Sequence, residues 1–334
     1  MTRERTLLTA FIILVSMLLP LVIKRQDVIN LLILIFLFIT LAQSWNILGG
    51  YTGQINLGHA AFFGLGSLAT RFLWISGKPI YLSLLAGGGL AVAFALLIGA
   101  PAFRLKGIYF AIGTLGLAEM LRITVGSALP VVSALPAHHI VVYELVPRYY
   151  LSLMLALLTV GATYLLVNSS LGLGMMAIRE EEEAAQSLGV NALKHKLLAL
   201  SMSAFFAGLA GGVFAFYHVS YYYEFPFGPM WTFDALLIAF IGGVGTIVGP
   251  IIGTVFYVIV KEVLAVALVE VHLLIFGALF ILVVLLLPGG FVEAWERVRG
   301  LWPTGPISKG LLFLLRKGVD LLARGAFDQR TKGG

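Results

Sequence analysis

Residues 28–48 read VINLLILIFLFITLAQSWNIL, 21 positions without a charged side chain. A helix needs about 20 predominantly apolar residues to cross a bilayer core of about 30 Å, so this segment predicts a membrane span. The whole chain has the same character: 60% of its 334 residues are hydrophobic and 11% are charged, against about 25% charged residues in soluble domains. The sequence therefore predicts a polytopic membrane protein and excludes a water-soluble globule.

Ten apolar segments meet the length criterion for a membrane helix. They cover residues 7–23, 28–48, 55–76, 80–100, 108–128, 149–167, 197–218, 232–248, 251–268 and 271–287. The third segment opens through polar residues, and the eighth and ninth meet at Gly249 and Pro250, so either region is a candidate for a broken or re-entrant helix. The predicted fold class is an all-α integral membrane protein, a polytopic helical bundle of about ten transmembrane helices.

The basic residues are distributed unevenly between alternate loops. Ten spans place both termini on one side, and the loops on that side hold 15 of the 22 Lys and Arg residues, against four on the opposite side. Because cytoplasmic loops carry the excess of positive charge, both termini are predicted to be cytoplasmic. The formal net charge of +6 then reflects topology, and no basic run is dense enough to indicate a nucleic-acid partner.

Composition also limits the chemistry of the chain. It contains no cysteine, which excludes disulfides and thiolate metal sites. His138 and His139 are adjacent, but no third residue has the spacing of a metal ligand. The sequence matches no G-x4-G-K-[ST] loop for nucleotide phosphates and no recognisable spacing of nucleophile, base and acid. We therefore predict no enzymatic activity, no metal and no cofactor.

The sequence divides into a membrane domain and a basic tail. Residues 1–290 hold the predicted spans and a long cytoplasmic loop at residues 168–196. Residues 291–334 are basic, and residues 311–322 alternate apolar and charged positions. This run is too short to cross a bilayer, so it predicts an interfacial amphipathic helix that lies on anionic membrane lipid.

Residues 177–189 of the cytoplasmic loop read AIREEEEAAQSLG. Acidic residues favour the first turn of a helix, and Gly189 is a plausible C-terminal stop. The pattern predicts a short helix across the cytoplasmic face, with a small apolar side that would fit a groove on another protein. On composition alone, a solvated acidic loop explains the segment more simply.

Several segments of the sequence resemble segments of known transport proteins. Glu183, Ala184, Ala185 and Gly189 are similar to the EAA-x3-G loop of permease subunits in ATP-binding cassette (ABC) importers. A narrower likeness, to the LivM-type permease of branched-chain amino acid importers, is carried by residues 45–64 (WNILGGYTGQINLGHAAFFG), 104–112 (RLKGIYFAI), Thr114, Leu115, Glu119, 241–246 (IGGVGT) and Gly249-Pro250. The likeness covers about residues 31–293. The isoleucine and Leu-Pro that complete the loop signature in another importer class are absent here.

This resemblance implies an ABC importer permease in the cytoplasmic, or inner, membrane that takes up leucine, isoleucine and valine by alternating access. It implies three kinds of partner: a second homologous permease subunit, two ATP-binding cassette ATPase subunits and an extracytoplasmic solute-binding protein. Membrane lipid is a further expected partner, because of the predicted interfacial helix at residues 311–322. ATP hydrolysis would then occur on the partner subunits. The residues expected to couple to the ATPases are Arg179, Glu180, Glu183, Ala184, Ala185 and Gly189.

Polar and glycine residues in the spans supply further candidates. Those proposed for the substrate pathway are Gln43, Asn46, Gln54, Asn56, His59, Thr114 and Glu119. Those proposed as hinges or close-packing points are Gly49, Gly50, Gly53, Gly58, Gly242, Gly243, Gly245 and Gly249. Interhelical hydrogen bonds and ordinary helix packing explain the same residue types.

The sequence also predicts the positions of three charged residues and of an aromatic run. Glu119 and Arg122 are three residues apart on one helix and are expected to pair, although snorkelling to the outer headgroups is an equal explanation for Arg122. Asp234 is expected at the outer edge of its span. The aromatic residues expected at the outer membrane interface are Tyr217, Tyr221, Tyr222, Tyr223, Phe225, Phe227 and Trp231. Contact with a docking solute-binding protein is the alternative explanation for this run.

Two alternative functions remain open from the sequence. Urea or short-amide permeases of the same fold look similar to this chain. An ion-coupled secondary transporter or a channel would instead need buried charges at mid-span, for which the sequence offers mainly Glu119 and Lys261 with Glu262.

Overall fold

Helices build most of the chain, which a computed structural model describes at residues 3–23, 25–267 and 289–298 and at isolated positions between 268 and 288. The described helices are α1 (Arg3–Val22), α2 (Gln26–Thr52), α3 (His59–Ile75), α4 (Ile80–Ala102), α5 (Ile108–Ala128), α6 (Ala137–Val141), α7 (Leu145–Val167), α8 (Ser170–Glu180), α9 (Glu182–Ser187), α10 (Ala192–Tyr217), α11 (Pro229–Gly242), α12 (Gly249–Ala267) and α13 (Gly290–Val298). Strands β1 (Val132–Ala134) and β2 (Ser220–Tyr222) pair antiparallel.

Nine of the ten predicted spans coincide with described helices: α1 to α5, α7, and α10 to α12. Among the described helices, five are long and apolar enough to cross a membrane: α2, α4, α5, α7 and α10. The prediction of an all-α membrane bundle is therefore confirmed. The tenth predicted span, 271–287, and the predicted interfacial helix at 311–322 lie outside the described residues, apart from isolated positions.

The third predicted span is a broken helix. It is one of the two regions for which the sequence predicted a broken or re-entrant helix. Gly53, with φ of 71°, ends α2, and α3 begins only at His59. The intervening chain returns alongside α2: Trp45 Nε1 donates to the carbonyl oxygen of Asn56 over 2.8 Å, and Ser44 Oγ lies 2.9 Å from His59 Nε2. Ser44 is eight residues before Thr52, the last residue of α2, and eight helical residues rise about 12 Å. Because His59 contacts Ser44, α3 starts about 12 Å inside the bundle from the end of α2.

The eighth predicted span, 232–248, is wrong at both ends. Its helix, α11, covers Pro229–Gly242, and residues 243–248 form a turn into α12. A methyl group on Gly242 would overlap the carbonyl of Gly249, so the two helices form a tight antiparallel hairpin. The glycine-rich turn ends the helix because glycine is a poor helix former and accepts positive φ. At 14 residues, α11 extends about 21 Å and is too short to span a bilayer alone.

The centre of the bundle is formed by α2 and α10. In each, 72% of the most apolar 18-residue segment is buried, whereas in α5 the share is 28%. Contact between α3 and α10 is close, since a methyl group on Gly66 would overlap the backbone of Gly208. Helix α3 therefore packs against the central helices, and α5 lies at the edge of the bundle.

One end of the bundle is closed by the sheet, and Arg71 fixes the sheet there. Its guanidinium donates five hydrogen bonds, to both oxygens of Ser133 and to the carbonyls of Ala215, His218 and Val219. These bonds satisfy every donor of a fully buried cation without a carboxylate. Arg71 lies within the third predicted span, and the sequence alone did not indicate this role.

The aromatic run at this end does not form the expected interface belt. Tyr221, Tyr223, Phe227 and Trp231 are buried, whereas Tyr222 and Phe225 are exposed. The rings of Phe63 and Trp231 are stacked, with their centroids 4.5 Å apart. The interface prediction is therefore wrong for the buried members, because the chain after β2 turns back into the bundle to begin α11 and its aromatic side chains fill the core.

Candidate functional site

The loop predicted to couple to ATPases lies at the end of the bundle opposite the sheet and contains two helices rather than one. Glu181 has extended dihedrals (φ −158°, ψ 110°) and separates α8 from α9. Its N–H still bonds to Ala177 at the end of α8, and its carbonyl accepts from Ala185 to begin α9. We call residues 170–189 the elbow. Sequence reasoning missed α8 because its apolar residues were assigned to a loop.

Gly189 ends the elbow. It adopts φ of 90°, a left-handed conformation that favours glycine, and Val190 then donates back to the carbonyl of Ala185. This turn packs Ile178, Ala185 and Ala192 into a small apolar cluster of their own. At the tip, Leu188 is 87% exposed. The elbow is thus internally packed and presents an apolar side chain at its outermost point.

An ion pair between a buried lysine and a partly exposed glutamate fixes α9 to the bundle. Lys196 Nζ, in α10, lies 2.6 Å from Glu182 Oε2, and only 6% of the Lys196 side chain is exposed. The ammonium also faces the ring of Phe103 at 5.9 Å. A displacement of α9 would therefore pull on the first turns of α10.

Arg179 joins the elbow to the core. Its guanidinium donates to the carbonyl oxygen of Gly50 near the end of α2, and its aliphatic part faces Gly53, where a methyl group would stand 3.3 Å from it. A methyl group on Gly245 would meet the same guanidinium. One side chain of α8 thus contacts the ends of both irregular segments, residues 53–58 and 243–248.

Asn46 joins those two irregular segments to each other. Its Oδ1 accepts from the N–H of Gly245 over 2.8 Å, and its Nδ2 donates to the carbonyl of Thr246 over 2.9 Å. The side chain is completely buried. One side-chain amide of α2 therefore hydrogen-bonds two backbone groups of the 243–248 turn.

Most residues proposed for the substrate pathway lie inside the subunit. Those with buried side chains are Gln43, Asn46, Asn56, His59 and Thr114, whereas Gln54 and Glu119 are half-buried. Thr114 joins α5 to the 53–58 segment by accepting from the N–H of Leu57 over 3.1 Å. The amide of Gln43 has no hydrogen-bond partner among the described residues. The hydrogen bonds of Asn56, His59 and Thr114 therefore hold the chain between α2 and α3 in place.

The candidate glycines fall into two geometric groups. A methyl group would be crowded by a neighbouring side chain or backbone at Gly49, Gly50, Gly58, Gly242 and Gly249, and φ is positive at Gly53, Gly243 and Gly245. Gly58 lies against the carbonyl of Thr114. The glycines thus permit close approach around both irregular segments.

Glu119 and Arg122 form the expected ion pair. Arg122 Nε lies 3.0 and 2.9 Å from the two carboxylate oxygens of Glu119, and Arg122 Nη1 lies 3.4 Å from Glu224. Both side chains of the pair are about one-third exposed. Arg122 is paired within the span, so snorkelling is not needed to explain it.

Asp234 is not at an outer edge. It is buried on α11, accepts a hydrogen bond from Tyr257, and lies 3.1 Å from Lys261 Nζ. Lys261 is also positioned over the ring of Phe38. The expectation failed because α11 begins inside the bundle, and a charged residue in each of two neighbouring spans was the signal that could have found the pair.

His138 and His139 lie on α6 at the sheet end. Burial, followed by the nearby charges of His138, Arg71 and Arg148, lowers the pKa of His139, so its imidazole is neutral at pH 7. Within the part of the chain that the structure describes, no three His, Cys, Asp or Glu residues are grouped to hold a metal ion.

Comparison with known families identifies the class of protein. A model of the family "Branched-chain amino acid transport system / permease component" matches residues 28–284. The chain belongs to this family. The matched residues include both irregular segments, the elbow and the central helices, and the match confirms the LivM-type resemblance. The chain is accordingly a permease component of an ABC transporter and a multi-pass inner-membrane protein, and it is not itself an enzyme.

Curated relatives differ in the solutes that their names state. The chain is 26% identical over 310 residues to the high-affinity branched-chain amino acid transport system permease protein LivM of Escherichia coli K12, covering 82% of this chain and 71% of the relative. It is 27% identical, with the same coverage, to LivM of Salmonella typhimurium LT2.

A second group of relatives carries another solute in its name. The chain is 31% identical over 202 residues to the autoinducer 2 import system permease protein LsrC of Yersinia pseudotuberculosis, covering 52% of this chain and 54% of that protein. No solved structure matches the chain. Membership of the family therefore does not by itself fix the transported solute.

Proposed function

We propose that this permease imports branched-chain amino acids, driven by ATPase subunits that push on the elbow. The partners in this proposal are a second homologous permease subunit, two ATP-binding cassette ATPases and an extracytoplasmic solute-binding protein. The elbow and both termini would face the cytoplasm, residues 1–290 would form the permease domain, and the basic tail at residues 291–334 would bind membrane lipid.

The observation that carries the mechanism is the bridge from Arg179 to both irregular segments. A force on α8 reaches the end of α2 through the carbonyl of Gly50, and Asn46 links that end to the 243–248 turn. Broken helices supply discrete positions at which a bundle can change between two packed states. Movement of the elbow would therefore shift both irregular segments together.

The exposed tip of the elbow supports contact with another protein. Leu188 projects from a compact turn at the C-terminal end of α9, and the first turn of the same short helix is acidic, with Glu182 and Glu183. An apolar side chain beside charges is suited to a groove with an apolar floor and a basic rim. The coupling residues in this proposal are Arg179, Glu180, Glu183, Ala184, Ala185 and Gly189.

Branched-chain amino acids are the proposed solutes because the likeness to the two LivM permeases covers 82% of this chain, whereas the likeness to LsrC covers 52%.

The test is uptake by the purified complex in proteoliposomes. The full chain is co-purified with its companion subunits, and uptake of radiolabelled leucine is measured with and without ATP on the elbow side. We expect ATP-dependent leucine uptake that unlabelled isoleucine and valine inhibit, and that urea and autoinducer 2 do not. Inhibition by urea or by autoinducer 2, without inhibition by isoleucine and valine, would overturn the solute assignment. Leucine uptake by this subunit alone, driven by an ion gradient, would overturn the mechanism.

A further inference from the structure

The outward surface of α5 is unlike that of its neighbour α4. The α4 sequence contains no charged residue, and its large exposed side chains are apolar: Tyr81, Leu82, Leu85, Leu90, Leu96 and Leu97. This composition suits contact with lipid. In contrast, α5 exposes Thr124 and Ser127 and carries the half-exposed Glu119 and Arg122. A lipid-facing helix would not be expected to carry these groups.

The charged pair lies deep in the span. Glu119 is eleven residues after Ile108, which places it about 16 Å along a 21-residue helix, close to its midpoint. Arg122 is one turn further and is also within the helix. A charge pair that is one-third exposed at this depth requires protein or water in front of it, because hydrocarbon does not solvate charge. The side of α5 that carries it therefore faces an aqueous path or another subunit.

The guanidinium of Arg122 retains capacity for an anion. Its Nε and Nη2 edge holds the Glu119 carboxylate, and Nη1 makes only a 3.4 Å contact with Glu224. An arginine offers five N–H donors in a planar fork that matches a carboxylate. The three side chains together carry one net negative charge, so a carboxylate remains available for a cation once Arg122 binds an anion.

An apolar wall and a gap adjoin the charges. Ile112, Gly116, Glu119 and Ile123 follow one another at helical spacing on a single side of α5. Ile112 and Ile123 are more than half exposed. A methyl group built on Gly116 meets no other described atom within 4 Å, so there is open space between the two isoleucines.

We propose that the side of α5 formed by Ile112, Gly116, Glu119, Arg122 and Ile123 is a solute-binding site for a free α-amino acid with an aliphatic side chain. Arg122 binds the α-carboxylate, Glu119 with Glu224 binds the α-ammonium, and the solute's side chain lies over Gly116 against the two isoleucines. This inference rests on the proposed function, and it names which of the candidate pathway residues contacts the solute.

Photo-crosslinking locates the site directly. The reconstituted wild-type complex, turning over ATP with its solute-binding protein, is illuminated with L-photo-leucine, and labelled peptides of this chain are mapped by mass spectrometry. The proposal expects labels within residues 112–123, which excess leucine removes. Labels that leucine removes and that lie elsewhere in the chain, without any on α5, would overturn the proposal.

Substitutions test the two parts of the site separately. Gly116→Leu fills the gap, and its matched control is Gly89→Leu on the exposed side of α4, where a methyl group also meets no described atom within 4 Å. The double neutral variant Glu119→Gln with Arg122→Gln removes both members of the close ion pair together, and Glu224, whose side chain is 51% exposed, remains solvated. Its control is Arg25→Gln with Asp27→Asn, an exposed pair at the start of α2.

The expected result is a loss of leucine uptake of about tenfold or more in the site variants, as for removal of charge-assisted contacts to a ligand. ATP hydrolysis stimulated by the loaded binding protein should change by less than about twofold, and the controls should resemble wild type in both measurements. Site variants that retain wild-type uptake would overturn the proposal. If the wild-type complex takes up no leucine at all, the proposed function fails, which this comparison distinguishes from failure of the site alone.

Discussion

Arg179 on α8 donates a hydrogen bond to the carbonyl oxygen of Gly50 near the end of α2. This bond joins the elbow to a residue 129 positions earlier in the chain, and the same guanidinium borders Gly245 in the turn between α11 and α12. A contact of this kind transmits displacement because a helix and its buried carbonyls move as a rigid unit. The relation between Arg179 and Gly50 is therefore the centre of the mechanism proposed for this permease.

Replacing Asn46 by alanine should destabilise the protein. The variant leaves the N–H of Gly245 and the carbonyl of Thr246 without their side-chain partner in a buried position, which costs about 1–3 kcal/mol in the free energy of unfolding. The measurement is the thermal unfolding midpoint of the detergent-solubilised protein, and hydrogen exchange should accelerate in residues 243–248. Asn168→Ala is the control, since that exposed amide bonds only within its own helix. Equal midpoints for the two variants would contradict the role of Asn46.

Gly66→Ala should separate α3 from α10. The added methyl group would overlap the backbone of Gly208, and relieving such an overlap costs about 1–3 kcal/mol. Thermal unfolding again measures the effect. The matched variant Gly161→Ala on α7, where a methyl group meets no described atom within 4 Å, should leave the midpoint unchanged or slightly raised. A fall in the midpoint for Gly161→Ala as large as for Gly66→Ala would contradict the packing argument.

Lys196→Met should loosen α9 while keeping a long apolar stem against Phe103. Removal of the ammonium releases Glu182, which is partly exposed and can turn to solvent, so the cost is expected near the lower end of about 1–3 kcal/mol. Hydrogen-exchange mass spectrometry should show faster exchange in residues 181–190 than in wild type. As a control, Lys194→Met alters a neighbouring cation of α10 without removing the ion pair to Glu182. Unchanged exchange in the Lys196 variant would mean that the ion pair does not hold the elbow.

Hydropathy predicted most of the helices because each span must satisfy its own backbone hydrogen bonds within the bilayer. It failed where helices stop inside the bundle. The chain at residues 53–58 is sufficiently apolar around its polar groups to resemble the start of a span, yet α3 begins at His59. In the same way, residues 243–248 extended the predicted eighth span beyond the true end of α11. Hydropathy averages cannot locate such breaks, because tertiary contacts satisfy the freed backbone groups.

The candidate sites were predicted as residue types but not as arrangements. Polarity within spans identified Asn46 and Glu119 together, although Asn46 is buried between two segments and Glu119 is half-exposed on α5. The sequence could not separate them, because the direction of a side chain depends on which helices pack together. The pairing of Asp234 with Lys261, and the bridge from Arg179 to Gly50, likewise connect distant parts of the chain.

The most direct test of the central claim is the number of leucine molecules transported per ATP hydrolysed by the reconstituted complex with Arg179→Gln. The variant keeps the elbow and its exposed tip, and it removes the cation that contacts Gly50. We expect ATP hydrolysis within about twofold of wild type and a transport ratio lower by about tenfold or more, whereas Arg104→Gln, which changes a basic residue in a loop outside the elbow, should preserve the ratio. An unchanged ratio in Arg179→Gln, with normal uptake, would contradict the account.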